Sequence, residues 1–217
     1  MSRTFDAYIQ PAYTRHAMMA IEVLDAVSLE RLSNGVTVTA IGLHGKPIVN
    51  HGGLFVWLKE SLTAFEKVVI DPGVLPYIAT ELPAAAIGQS PHAVALYPRM
   101  SYPFGAGMTA VRGFLVESDP PNAPPPPWQP IAGAVIRVEW LDVNGFTWHS
   151  TAESYVTDAA GQFAAFVRLA PDDQPLVTAG NLRLRFLAKR DPVTKELELN
   201  CPQGRVADET LPWDQMV

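Results

Sequence analysis

Cysteine is almost missing from the 217 residues: only Cys201 occurs, so no disulfide can close within the chain. Its setting near the C-terminus, among polar residues and Pro202, reads as a spare thiol. Basic charge is also in deficit. Lys and Arg number 16 against 22 Asp and Glu, a net charge of −6, which argues against nucleic acid and anionic membrane as partners. No apolar run approaches the roughly 20 residues that cross a bilayer, so no membrane insertion is expected. Met1-Ser2-Arg3-Thr4-Phe5-Asp6 lacks the basic-then-apolar pattern of a signal peptide, and the expected location is the cytoplasm. Helical periodicity is absent beyond about two turns; Ser61 to Lys67 offers one turn at most.

Motifs that carry chemistry are missing as well. The five histidines, His16, His44, His51, His92 and His149, form no His-x-His or His-Glu-x-x-His spacing that would set ligands on one face. His44 and His51 flank a glycine-rich loop, but two nitrogen ligands without a third make a poor metal site. Ser90 lies near His92 with Pro91 between them and no orienting carboxylate, and no Gly-x-Ser-x-Gly elbow exists. Gly105-Ala106-Gly107 leads into a strand, so it lacks the helix N-terminus of a phosphate cradle. No catalytic, cofactor-binding or metal-ligating residue is expected, and no cofactor.

What the chain does have is apolar content, 48% against 18% charged, which is a globular composition. It also has a repeated pattern. Gly35-Val36-Thr37-Val38-Thr39-Ala40 precedes Asn50-His51-Gly52-Gly53-Leu54-Phe55, and Gly133-Ala134-Val135-Ile136-Arg137-Val138 precedes Thr157-Asp158-Ala159-Ala160-Gly161-Gln162-Phe163. Each copy is an alternating strand, a loop, a polar Gly-containing turn, and a strand opening on an aromatic residue. Repetition of such a unit predicts two related β-domains in tandem.

Strands are expected at Met18–Asp25, at Val36–Ile41 after an Asn34-Gly35 turn, at Leu54–Leu58, and at Lys67–Asp71 before Asp71-Pro72-Gly73. Between Pro83 and Met108 periodicity disappears among prolines and glycines, predicting an extended linker, with Ala93–Tyr97 able to pair as an edge strand. A second domain opens on Thr109–Glu117. Seven prolines fall within Pro120–Pro130, enough to impose polyproline II geometry; the run is read as a stiff loop, with docking to an aromatic groove as its other reading. Beyond it, Ala134, Ile136, Val138 and Trp140 share one strand face and Arg137 and Glu139 the other. Leu182, Leu184, Phe186 and Ala188 likewise oppose Arg183 and Arg185, so these strands cover a core on one side and meet water on the other. The basic group Arg183, Arg185, Lys189, Arg190 and Lys195 reads as such a wet face. The fold class is all-β, two tandem antiparallel β-sandwich domains: residues 1–82, a linker over 83–108, a second domain over 109–198, and an acidic C-terminal tail over 199–217.

The phrase Ile131–Val138 followed by Thr157-Asp158-Ala159-Ala160-Gly161-Gln162-Phe163 resembles the carboxypeptidase regulatory-like, or transthyretin-like, β-sandwich family over about residues 109–190. The stretch Ser101–Gly113 resembles the linker of two-domain proteins encoded near phage-tail-like contractile injection genes. Together these resemblances imply an immunoglobulin- or transthyretin-like sandwich used for adhesion, scaffolding or docking. The same fold also hosts a hydrolase of purine catabolism and iron dioxygenases, the latter needing two tyrosines and two histidines; Tyr155 near His149 is the one local hint.

The expected function is therefore a non-enzymatic structural or docking component of a phage-tail-like contractile particle. Its partners are proteins, either particle subunits or further copies of the chain. The alternative from another class is a small-ligand or carbohydrate module with Trp148 and Tyr155 on an exposed sheet face. Among the tryptophans, Trp57, Trp140 and Trp148 sit in strand contexts, whereas Trp128 and Trp213 fall in irregular segments. An indole there is a latch on its own domain or an anchor for a partner. Asn200–Val217 is expected to lie outside the sandwich as a docking tail, with Leu211, Trp213 and Met216 as its apolar anchors among acidic residues; the alternative is a tail folded back on its own domain.

Overall fold

The computed structural model describes residues 17–58, 65–87, 91–118 and 129–217. Their structure is all-β, without an α-helix among the described residues. The chain divides into two compact units. One takes the described residues through Asp25, Leu29–Gly73 and Ala79–Ala95; the other takes Ala26–Ser28, Val74–Ile78 and Leu96–Val217.

The first unit holds β1 (Ala17–Asp25), β2 (Thr37–Ile41), β3 (Ile48–Val49), β4 (Phe55–Leu58), β5 (Lys67–Asp71), β6 (Thr80–Pro83) and most of β7 (His92–Leu96). They form two sheets, ordered β3-β4-β1-β7 and β2-β5-β6. The period-two pattern of β2 buries Val38 and Ala40 while the threonines face outward. Those two join Val68 and Ile70 of β5 in the core, and Ile21, Val23, Phe55 and Trp57 come from the other sheet. Two sheets each burying one face is the arrangement of a β-sandwich.

The predicted linker over 83–108 is corrected here. Pro83 ends β6, which pairs with β5, and His92–Leu96 is β7, the neighbour of β1. The prolines mark strand ends: Pro83 closes β6, Pro91 precedes β7, and Pro98 makes a single bridge with Tyr77. A proline cannot donate to a ladder, but at a strand end nothing is lost.

The second unit holds β8 (Thr109–Val116), β9 (Val135–Leu141), β10 (Trp148–Ser150), β11 (Tyr155–Val156), β12 (Gln162–Val167), β13 (Val177–Thr178), β14 (Asn181–Arg190), β15 (Val193–Pro202) and β16 (Val206–Pro212). One sheet runs β12-β8-β16. In the other, β9 and β15 flank β14, β10 and β11 pair with β9, and β13 pairs with β14. Phe163 of the first sheet meets Phe186 of the second with ring centroids 6.2 Å apart, so the apolar faces stack on each other. Leu182, Leu184, Phe186 and Ala188 are fully buried along β14.

The predicted boundary at 198 and the tail over 199–217 are overturned. Asn200–Pro202 end β15, and β16 runs parallel to β8 from Val206 opposite Ala110 to Pro212 opposite Val116. The segment is a strand of the sandwich because Ala207 and Leu211 supply core volume that β8 needs on its second side. Pro202 and Pro212 again stand at strand ends.

Thr157–Phe163 shows why its residue types matter. The Asp158 carboxylate accepts from the backbone N–H groups of Ala160 (2.8 Å) and Gln162 (2.9 Å). Gly161 has φ 70, and a Cβ there would lie 2.6 Å from the Leu115 carbonyl oxygen, so only glycine fits. Thr157 Oγ1 donates to the Ile131 carbonyl (2.7 Å) and accepts from Ala134 N–H (2.9 Å), tying the turn to the entry of β9.

Candidate interaction site

Of the predicted anchors, Leu211 is fully buried and Met216 is 2% exposed, so neither is offered to a partner. Trp213 is half-buried. Lys195 Nζ donates to the carbonyl oxygens of Trp213 (2.9 Å) and Met216 (3.1 Å) and lies 5.5 Å from the Trp213 ring centre. Val217 exchanges two backbone hydrogen bonds with Glu196 of β15, 2.8 and 3.0 Å long. The last residues therefore fold back as a latch on their own unit, the alternative left open above. They do so because Lys195 brings a cation to carbonyls that end the chain's regular pairing. Trp128, with Pro120–Pro127, lies outside the described residues.

Other chemistry-bearing side chains are engaged in holding the fold. Tyr155 is 1% exposed; its hydroxyl donates to the Phe166 carbonyl (2.8 Å) and accepts from Phe166 N–H (3.1 Å). Burial holds that phenol well above its ordinary pKa. Tyr97, edge-on to Tyr155 at 5.7 Å, is raised too, by burial and then by the negative Glu153. Arg168 faces Glu153 (3.6 Å) and donates to the carbonyls of Ala26 (2.6 Å) and Val27 (3.0 Å). Trp148 does not present a bare face: the Arg185 guanidinium sits 4.6 Å from its ring centre and also pairs with Glu139, whose other oxygen accepts from Ser150 (2.7 Å). An exposed platform of Trp148 and Tyr155 is therefore not formed.

His149 stacks on Trp140 at 4.4 Å and lies 3.3 Å from Asp142. Tyr155 binds a backbone carbonyl, so it does not turn toward that imidazole as an iron ligand would. Among the described residues no group of three or more His, Cys, Asp or Glu is placed to hold a metal ion. Cys201, on β15 opposite Leu182 of β14, is a free thiol as expected, but it is fully buried and not in the polar setting its chain neighbours suggested. Burial, helped by the negative Glu209, pushes its pKa up to about 12. A thiol so placed is protonated at neutral pH and a poor nucleophile. No described helix is long and apolar enough to cross a membrane.

Two surface features were not anticipated. The first is the β9–β10 connection, where Phe146 is 89% and Val143 54% exposed. Local hydrogen bonds hold this tip. Asp142 N–H donates to the Thr147 carbonyl (2.8 Å) and Gly145 N–H to the Asp142 carbonyl (2.9 Å). Asn144 Oδ1 accepts from the N–H groups of Phe146 (2.8 Å) and Thr147 (3.0 Å), while its Nδ2 donates to Thr147 Oγ1 (3.0 Å). Gly145 takes φ 75. From outside the loop, Val143 N–H donates to the Gln174 carbonyl (2.8 Å). The available signal was Asn144-Gly145, the same dipeptide that marks the turn at Asn34-Gly35.

The second is a cleft of about 220 Å³ in the first unit. His44 and Lys46 border it, and Ile48, Val56, Trp57 and Leu58 supply apolar wall. Ile48 is 53% exposed; β3, two residues long, pairs with β4 at Val56 and Phe55, and among the described residues no further pairing is seen on that edge of β4. The indole N–H of Trp57 is buried and has no hydrogen-bond partner among the described residues.

No protein-family model matches the chain, and no characterised protein matches it in sequence at a significant level.

Proposed function

We propose that this chain is a non-enzymatic structural and docking component of a phage-tail-like contractile particle, made in the cytoplasm and incorporated on assembly. The observation that carries the docking reading is a division of labour among its side chains. Groups able to do chemistry (Tyr155, His149, Arg185, Cys201) are spent on internal contacts, while the Phe146 ring stands in water on a hydrogen-bonded loop. A preformed aromatic projection is what a protein partner uses as an anchor. The particle as the setting is supported by the resemblance carried by Ser101–Gly113. Membership of the second unit among transthyretin-like, carboxypeptidase regulatory-like sandwiches is supported by the roles of Thr157, Asp158, Gly161 and Phe163 in the turn that enters β12.

The test is co-sedimentation of the purified chain with assembled contractile particles and with isolated sheath, tube and baseplate fractions. Saturable binding to one fraction is expected. Absence of binding to every fraction would overturn the particle assignment.

A further inference from the structure

We infer that this protein self-associates head to tail, with the Phe146 tip of one molecule seated in the cleft beside Trp57 of a second copy. The inference rests on the docking reading above and names the partner: another copy of the chain.

Three observations make the two surfaces complementary. The first is shape. The tip projects one exposed ring on a loop that its own hydrogen bonds keep in place, and the cleft holds about 220 Å³. That is below the roughly 300–1,000 Å³ of small-molecule sites and suits one aromatic side chain. The second is hydrophobicity. Phe146 and Val143 stand in water on one side, and Ile48 with the walls of Val56 and Leu58 on the other, so contact removes apolar surface from water on both. Because the tip is already ordered, little conformational freedom is lost on docking.

The third is charge. Residues 141–147 and 170–178, which the Val143–Gln174 hydrogen bond brings together, contain no Lys or Arg; Asp142 there faces His149 at 3.3 Å, and Asp172 and Asp173 supply the negative charge. The cleft is bordered by the positive charge of Lys46. Opposite charges around an apolar centre steer encounter and fix the register of docking. Because the tip and the cleft are different patches, the contact is heterologous: copies add until a free tip meets a free cleft and closes a ring, or continue into an open array where it does not. A component that repeats along or around a particle needs a contact of that kind.

Sedimentation velocity on the purified full chain, from about 1 µM to about 1 mM, covers the range of a moderate contact. The weight-average mass is expected to rise with concentration and to fall back as salt is added. Phe146→Ala, at an exposed position, is expected to weaken association about tenfold or more, and Lys46→Glu to weaken it as well. The decisive measurement mixes these two variants. Phe146→Ala keeps an intact cleft and Lys46→Glu an intact tip, so the mixture is expected to form a one-to-one dimer that neither forms alone and that grows no further. A wild-type chain that stays monomeric throughout overturns the inference, as does self-association that Phe146→Ala leaves unchanged. Binding of such a monomer to sheath, tube or baseplate would leave the docking reading intact while removing this contact from it.

Discussion

The two compact units use one strand order. In the first, β4-β1-β7 stacks with β2-β5-β6; in the second, β12-β8-β16 stacks with β9-β14-β15. Strand for strand, β1, β2, β4, β5, β6 and β7 occupy the places of β8, β9, β12, β14, β15 and β16. The turns entering β4 and β12 match in detail. Asn50 N–H donates to the Leu54 carbonyl (3.0 Å), Gly53 N–H to the Asn50 carbonyl (2.9 Å), and Leu54 N–H to Asn50 Oδ1 (2.9 Å). The bonds among Asp158, Gly161 and Gln162 have the same partners in order and lengths of 3.0, 2.9 and 2.9 Å. Gly53 and Gly161 both take positive φ, and each is followed two residues later by a buried Phe.

The units part company in what that Phe packs on. Phe55 stands opposite Ile21 of β1, whereas Phe163 stands opposite Gly113 of β8, where the ring fills the space a side chain would take. They also differ in reach. β14 and β15 each run ten residues against five in β5 and four in β6, and the added length carries the ion pairs Arg183–Glu198 and Arg185–Glu139. A turn and a strand order can thus be repeated from a handful of polar and glycine positions, while packing is solved afresh in each unit by complementary volumes.

The most severe way to break the correspondence is to delete residues 205–217. The second unit then loses the strand equivalent to β7, with the buried side chains of Leu211 and Met216. Loss of even one such core side chain costs about 2–5 kcal/mol. The expected result is a collapse of hydrogen-exchange protection across β8 and β12 and a large drop in their melting temperature. Retained protection there would mean that β16 is not needed to close the sheet.

Gly113→Ala tests the difference between the units more narrowly. A Cβ at Gly113 would lie 2.4 Å from the Glu209 carbonyl oxygen and 2.8 Å from the Phe163 ring, so the strand or the ring must shift. Thermal or urea unfolding is expected to show a loss of about 1–3 kcal/mol, the usual cost of overpacking. An unchanged midpoint would show that the two strands part easily at this point.

The smallest effect concerns Glu209 on β16. Burial, then the neighbouring negative charge of Asp208, raises its pKa above 4.5. A carboxyl whose folded pKa is raised favours folding most below its unfolded value, and that contribution is lost as pH rises through the folded value. Glu209→Gln is therefore expected to raise the melting temperature slightly at pH 7 and to leave it unchanged near pH 4. A destabilised variant at pH 7 would show that the carboxylate makes a favourable contact in the fold.

Strands with period-two alternation were legible from the order of apolar and polar residues. Val36–Ile41, Thr109–Glu117, Ala134–Trp140 and Leu182–Ala188 appear within a residue or two of where their alternation places them. The turns at Asn34-Gly35 and Asp71-Pro72-Gly73 were legible too, since Gly35 has φ 76 and the Asp71 carboxylate accepts from Gly73 N–H at 2.8 Å. β7 was legible only as an edge strand at Ala93–Tyr97 inside a supposed linker, whereas β6, β15 and β16 carried no expected strand, β16 being read as part of a tail. β7 and β16 are each the last strand of their unit, set beside the first, and prolines stand at or near their ends. The interaction surfaces were missed for a related reason. An exposed Phe and an apolar cleft have no period of their own, and the anchors expected at Leu211 and Met216 had apolar character that fits core as well as it fits contact.

The sequence by itself determined the β class, the two repeated turns and the faces of the long strands, because each depends on residues within reach of one another along the chain. Only the tertiary structure decided that residues 206–212 complete a sheet, that Cys201 is buried, and that Phe146 rather than Trp213 stands in water. Burial belongs to pairs of segments far apart in the chain, and a strand's partner across a hundred residues leaves no mark on its local pattern.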